Sequence, residues 1–251
     1  MLKYWRSNKM LAFESSWINY IFALNLLVVG NFFSSNAQQS SLGSWNILNV
    51  KYTLSDKWSF FGEGQIRSLK FYDHFHYYEA KGGANYELKN GIRLTLGAGT
   101  YQTYREGGDF VLPKNNDEFR IWPQVLLTQK IGKFKIEQRY RLENRFTSSG
   151  YRNRYRYRLG LTVPLYHSKK DVSVALNLNN ELFFTDKEPY FERNRVLGGL
   201  NIHLNKTSGI QVAYLHQFDY KINDETGRDF FVIGYYFEFT KSKTEDDSQK
   251  D

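Results

Sequence analysis

Residues 134–166 read FKIEQRYRLENRFTSSGYRNRYRYRLGLTVPLY, two arms around Thr147-Ser148-Ser149-Gly150. In the first arm Phe134, Ile136, Gln138, Tyr140, Leu142, Asn144 and Phe146 alternate with Lys135, Glu137, Arg139, Arg141, Glu143 and Arg145. In the second, Tyr151, Asn153, Tyr155, Tyr157, Leu159, Leu161 and Val163 alternate with Arg152, Arg154, Arg156 and Arg158. A period of two places each set on its own face of a pleated strand. A helix would mix the sets around its circumference, so the stretch predicts a long β-hairpin. One face is aromatic and aliphatic, and the other is a ladder of arginine and glutamate.

Outward from this hairpin the same grammar recurs. Eleven strand-like segments lie near 45–54, 58–69, 75–88, 92–105, 118–130, 134–147, 151–166, 171–185, 191–204, 209–220 and 229–240. Glu118, Arg120 and Gln124 oppose Phe119, Ile121, Val125 and Leu127. Arg193, Arg195, Asn201 and His203 oppose Val196, Leu200, Ile202 and Leu204. The pattern is less clean at 229–240, where aromatic residues occupy both faces. Tight connections such as Lys89-Asn90-Gly91 and Ile131-Gly132-Lys133 alternate with longer or more polar ones such as Glu106 to Asp117. Asn90-Gly91 is a strong turn signal, because both residues tolerate positive φ.

Composition agrees. The 251 residues include 19 Tyr and 20 Phe but only 4 Pro, a mixture that suits strands. Cysteine is absent, which excludes disulfides, thiol nucleophiles and cysteine metal sites. The five histidines, His74, His76, His167, His203 and His216, form no H-E-x-x-H motif. Glu106-Gly107-Gly108-Asp109 offers two carboxylates, too few to define a calcium loop. No cofactor or metal site is expected. Gly97, Gly99, Gly198 and Gly199 read as close-packing positions rather than phosphate cradles, since no helix follows them.

The N-terminus reads as an export signal. Lys3, Arg6 and Lys9 precede an apolar run ending near Phe33, and Ser35-Asn36-Ala37 supplies small residues for cleavage after Ala37. The run is shorter than the ~20 residues a membrane helix needs and is broken by Asn19, Asn25 and Asn31. The expected organisation is a signal at 1–37, a barrel at 38–240 and a charged disordered tail at 241–251.

Alternation alone cannot say which face is inside. A soluble barrel hides its apolar face and a membrane barrel displays it. The export signal, strands that reach the ~9–11 residues of a tilted crossing, the alternating connections and aromatic residues at strand ends (Phe146, Tyr151, Phe184, Tyr190) favour the membrane. Packing so many rings into a soluble barrel of about ten strands would also crowd its interior. The prediction is an all-β antiparallel up-and-down transmembrane barrel of 10–12 strands. Bacterial single-chain barrels usually have even strand numbers. Either 45–54 is not a full strand, or a short strand near 38–45 completes twelve, the option preferred here.

The sequence resembles a bacterial outer-membrane family catalogued as domain of unknown function 2490. The resembling pieces are Trp45-Asn46, Lys57-Trp58 with Glu63-Gly64-Gln65-Ile66-Arg67, Glu118 to Trp122, Arg139 to Phe146, Arg154 to Arg158, Asn180 to Phe183, and Asn194-Arg195. The resemblance implies a Gram-negative outer-membrane barrel and no assigned activity. The Ala37-Gln38 junction resembles those of Bacteroidetes.

If the polar face lines the interior, the lumen holds Glu63, Arg67, Glu79, Lys81, Arg120, Glu137, Arg139, Arg141, Glu143, Arg145, Arg152, Arg154, Arg156, Arg158, Glu181, Arg193 and Arg195. Two uses of this ladder are open. The groups can cross-brace one another, or, since arginine outnumbers glutamate, they can serve small anionic solutes. The expected partners are therefore membrane lipid and, for the second use, a small anion. An alternative is a lipid-modifying barrel enzyme using Ser208 with His203 or His216, although no G-x-S-x-G motif is present. A soluble secreted ligand-binding barrel is another. Arginines interleaved with tyrosines at 151–158 superficially suit nucleic acid, but export and strict alternation argue against that.

Overall fold

The computed structural model of the chain describes residues 41–168, 171–220 and 226–241. The expected signal at 1–37 and the tail beyond Lys241 lie outside the described residues. Eleven strands follow in order: β1 (Gly43–Thr53), β2 (Trp58–Lys70), β3 (Asp73–Glu87), β4 (Ile92–Arg105), β5 (Val111–Ile131), β6 (Phe134–Thr147), β7 (Gly150–His167), β8 (Ser173–Thr185), β9 (Phe191–His203), β10 (Ser208–Asp219) and β11 (Thr226–Thr240). Each pairs antiparallel with the next, and β1 closes the ring on β11.

That closure corrects the preference for twelve strands. β1 and β11 run parallel, through eleven residue pairs from Gly43↔Phe230 to Thr53↔Thr240. A parallel seam lets an odd number of strands close with no edge, so the described ring has no place for a further strand. It also separates the two ends of the barrel sequence. Ser41 Oγ donates to the Leu69 carbonyl at one mouth (3.0 Å), and Lys241 N donates to the Thr53 carbonyl at the other (2.9 Å).

Connections at the two mouths differ less in length than the sequence predicts. β5 begins at Val111, and its first residues pair with β4 as far as Arg105↔Val111, so much of the anticipated Glu106–Asp117 loop is strand. β6 and β7 are separated only by Ser148 and Ser149. At the Lys89–Gly91 turn, Asn90 (φ 63°) and Gly91 (φ 75°) both adopt the left-handed region that their residue types permit.

The two faces separate as the alternation requires. Tyr140 and Tyr155 are 45% and 47% exposed on the outer surface, whereas inward-facing Glu143 and Arg145 are 0% and 3% exposed. Leu48, Leu96, Leu178, Val196 and Leu200 are also exposed outside. Exposed aromatic residues concentrate toward both mouths. Phe71, Tyr72, Phe146, Tyr151, Phe184 and Tyr190 lie toward one, and Tyr52, Trp58, Phe134, Tyr166 and Phe239 toward the other.

Inside, close contacts depend on small residues. A Cβ at Gly97 would lie 2.5 Å from ring atoms of Trp122, a side chain with no exposed surface. A Cβ at Gly62 would have nothing within 4 Å. Gly97→Ala is therefore expected to cost about 1–3 kcal/mol through overpacking, while Gly62→Ala leaves the urea midpoint of tryptophan fluorescence essentially unchanged.

Candidate functional site: an arginine-rich lumen

The inward positions of the strands surround a cavity of about 1110 Å³, lined by residues from both mouths. Of the ladder residues read from the sequence, Glu63, Arg67, Glu79, Lys81, Arg120, Arg139, Arg141, Arg145, Arg152, Arg154, Arg156, Arg158, Glu181, Arg193 and Arg195 line it. Glu143 lies sealed beneath the guanidinium groups. Glu137 stands apart, paired with Lys135 near the start of β6 (3.1 Å).

Glu143 is the centre of the charge lattice. Arg156 Nη1 donates to its Oε1 at 2.5 Å, and Arg141, Arg120 and Arg154 approach at 3.4, 3.5 and 3.6 Å. Glu118 receives a fork from Arg120 (2.7 and 2.9 Å) and a second from Arg145. Glu181 accepts from Arg156 and Arg139, and Glu192 from Arg154. A smaller cluster joins Arg67 and Lys81 through Glu79 (3.0 and 2.5 Å), with Lys81 also reaching Glu63 at 2.6 Å. Planar guanidinium forks suit this work, because each can bind two carboxylate oxygens at once.

The lattice does not consume all the arginine. Among the described residues, fourteen basic and nine acidic side chains line the cavity, and Glu143 adds one buried carboxylate. No carboxylate lies within ion-pairing distance of Arg152, Arg158 or Arg195 among the described residues. The Nε atoms of Arg152 and Arg158 are buried without a hydrogen-bond partner.

Sequence reading missed two further features. Glu118, Glu192 and Asp219 belong to the lattice. Asp219 accepts from Arg193 and from Gln217 Nε2 (2.6 Å). Their inward parity was readable, but their arginine partners on other strands were not. Large rings also face inward. The Arg67 guanidinium lies 3.4 Å from the Trp45 ring centroid, Arg120 lies 3.7 Å from Tyr101, and Arg156 and Arg195 lie 4.6 and 4.8 Å from Phe183. Such stacking holds a guanidinium in place without neutralising it. One patch of the wall is apolar, where Trp45, Ala213, Leu215, Phe230 and Val232 form a buried cluster.

The candidate serine and histidines are not brought together. Ser208 Oγ donates to Asn205 Oδ1 (3.0 Å) in the β9–β10 turn. His203 lies near that turn, with Nδ1 3.3 Å from Ser173 Oγ. His216 is on the outer face of β10 toward the opposite mouth, with Nδ1 2.7 Å from Asp229 Oδ1. In the possible calcium loop, Asp109 Oδ1 accepts from Phe75 N (2.7 Å), and Glu106 pairs with Arg228 (2.6 Å).

The fold and lumen together define a closed, mostly antiparallel β-barrel with an apolar exterior and a charged interior. The chain belongs to the family described as protein of unknown function (DUF2490), whose profile covers residues 42–228. No curated protein matches it. Among solved structures, LpxR from Salmonella typhimurium aligns with a TM-score of 0.46 at 11% identity, over 71% of this chain and 83% of that one.

Removing one carboxylate from a buried lattice strands several cations. Glu143→Gln is therefore expected to destabilise the barrel by about 3–5 kcal/mol. Glu106→Gln, at the solvent-exposed rim, should be close to wild type, and urea titration of both variants checks the contrast.

Proposed function

We propose that the protein is exported by a cleaved signal at residues 1–37, resides in the outer membrane of a Gram-negative bacterium and admits small anions to its lumen. The membrane part of this reading is supported by the outward apolar face with aromatic residues toward both mouths, the arrangement that lipid and its two interfaces favour. A soluble barrel needs those groups inside and the guanidinium groups in water.

The anion part is carried by one observation: lumen arginine exceeds the carboxylate available to neutralise it, and the surplus borders a cavity that reaches both mouths. Rings of basic side chains select anions by lowering the electrostatic cost of entry and raising that of cations. Pure cross-bracing would be served by matched charge. Among the described residues, Arg152 and Arg158 brace nothing through an ion pair.

Purified protein in planar bilayers under a potassium chloride gradient is expected to give discrete steps with a reversal potential on the chloride side. Replacing Arg152 and Arg158 together by Gln should move that potential toward zero. Silence across voltages and across several small anions would reject passage.

A further inference from the structure

The lumen wall is chemically divided. On β9, β10, β11 and β1 the inward residues Leu197, Leu215, Phe230, Val232 and Trp45 border the cavity, the last four with 1–5% of their surface exposed. Register makes them contiguous: Leu197 pairs with Leu215, Leu215 with Phe230, and Val232 with Trp45. The Phe230 and Trp45 rings meet edge to face at 5.6 Å. One of them, β11, is the strand on which sequence alternation was least clean, because aromatic residues occupy both its faces.

Beside this wall stands a cation with no carboxylate in ion-pairing distance among the described residues. Arg195 occupies the inward position next to Leu197 on β9. Its Nε donates to Gln217 Oε1 (2.8 Å), and its guanidinium lies 4.9 Å from the Trp45 ring centroid. The nearby carboxylates are committed elsewhere: Glu181, opposite Arg195 on β8, to Arg156 and Arg139, and Asp219 to Arg193.

We infer that the lumen binds an amphiphilic anion, a carboxylate bearing a short aliphatic body, with its head at Arg195 and its body on the Leu215–Phe230–Trp45 wall. The inference rests on the reading of the lumen as an anion site and narrows its ligand. A hydrated inorganic anion gains nothing from an apolar wall. A bracing lattice leaves no guanidinium unpaired. An amphiphile uses both, since the paired charge orients it and each methylene withdrawn from water adds to affinity.

The test uses the full chain in lipid nanodiscs, with empty nanodiscs as reference, and equilibrium dialysis of labelled acetate, butyrate, hexanoate and 1-hexanol. Affinity is expected to rise at least about tenfold from acetate to hexanoate, and hexanol should bind at least about tenfold more weakly than hexanoate. Arg195→Gln should abolish the gap between hexanoate and hexanol, and Arg195→Lys should restore part of it. Leu215→Asn should flatten the chain-length series. The wild-type series needs no variant, so a folding failure of Leu215→Asn leaves the test intact. Equal affinity for acetate and hexanoate overturns the inference while leaving a plain anion lumen standing. Equal affinity for hexanol and hexanoate overturns it as simple partitioning. Absence of binding by any probe overturns it too. A chloride-selective current from the same preparation then preserves anion passage, and silence removes both.

Discussion

A carboxylate with no exposed surface, held among arginines from three strands, sets the terms for this molecule. Glu143 on β6 is approached by Arg120 on β5, Arg141 on its own strand and Arg154 and Arg156 on β7. Desolvating any one of these charges alone would be severely unfavourable, so they are stable only as a set. The set requires the strands to meet in one register. A slip of one residue in β6 would turn Arg139, Arg141, Glu143 and Arg145 outward and Tyr140 and Leu142 inward. The lattice therefore does for this barrel what a hydrophobic core does for a soluble one, by making a single arrangement of strands much better than its neighbours.

Seen from the lattice, the remaining features fall into place. Inward rings such as Trp45, Tyr101 and Phe183 stack on guanidinium groups that carboxylates do not fully surround, so they hold cations without cancelling them. Inward glycines make room for those rings, as Gly97 does for Trp122. Positive charge thus remains beside the cavity in an otherwise well-braced interior. Bracing and an open electrostatic surface coexist because they fall on different arginines.

Legibility in the sequence followed the range of each interaction. Parity along a strand is local, so Arg139, Arg141, Glu143 and Arg145 declared their shared face in a few residues. The boundaries at the tight turns were equally visible, because Asn90-Gly91 and Gly132-Lys133 announce turns chemically, whereas the start of β5 at Val111, seven residues before the expected 118, was not. Partnerships between strands were not visible. Arg139 on β6 reaches Glu181 on β8, passing over β7, and Arg154 on β7 reaches Glu192 on β9. Such pairs depend on curvature and shear, which no short window contains. The parallel seam was hidden for the same reason. Nothing local to residues 43–53 says that their neighbour lies at 230–240. The irregular alternation of the last strand did carry a signal, since Phe230 and Val232 face inward and Phe231 and Tyr235 face outward.

The seam between β1 and β11 has a topological consequence. In a barrel closed by antiparallel strands the two ends of the sequence emerge side by side, and a few residues can splice them. Here the parallel pair sends them out of opposite openings, separated by the height of an eleven-residue ladder. A splice would have to travel that height, outside across the apolar wall or inside through the charged one. The order of strands in this protein therefore cannot be circularly permuted with a short linker, and the point where the ring begins is part of its architecture rather than an accident of numbering.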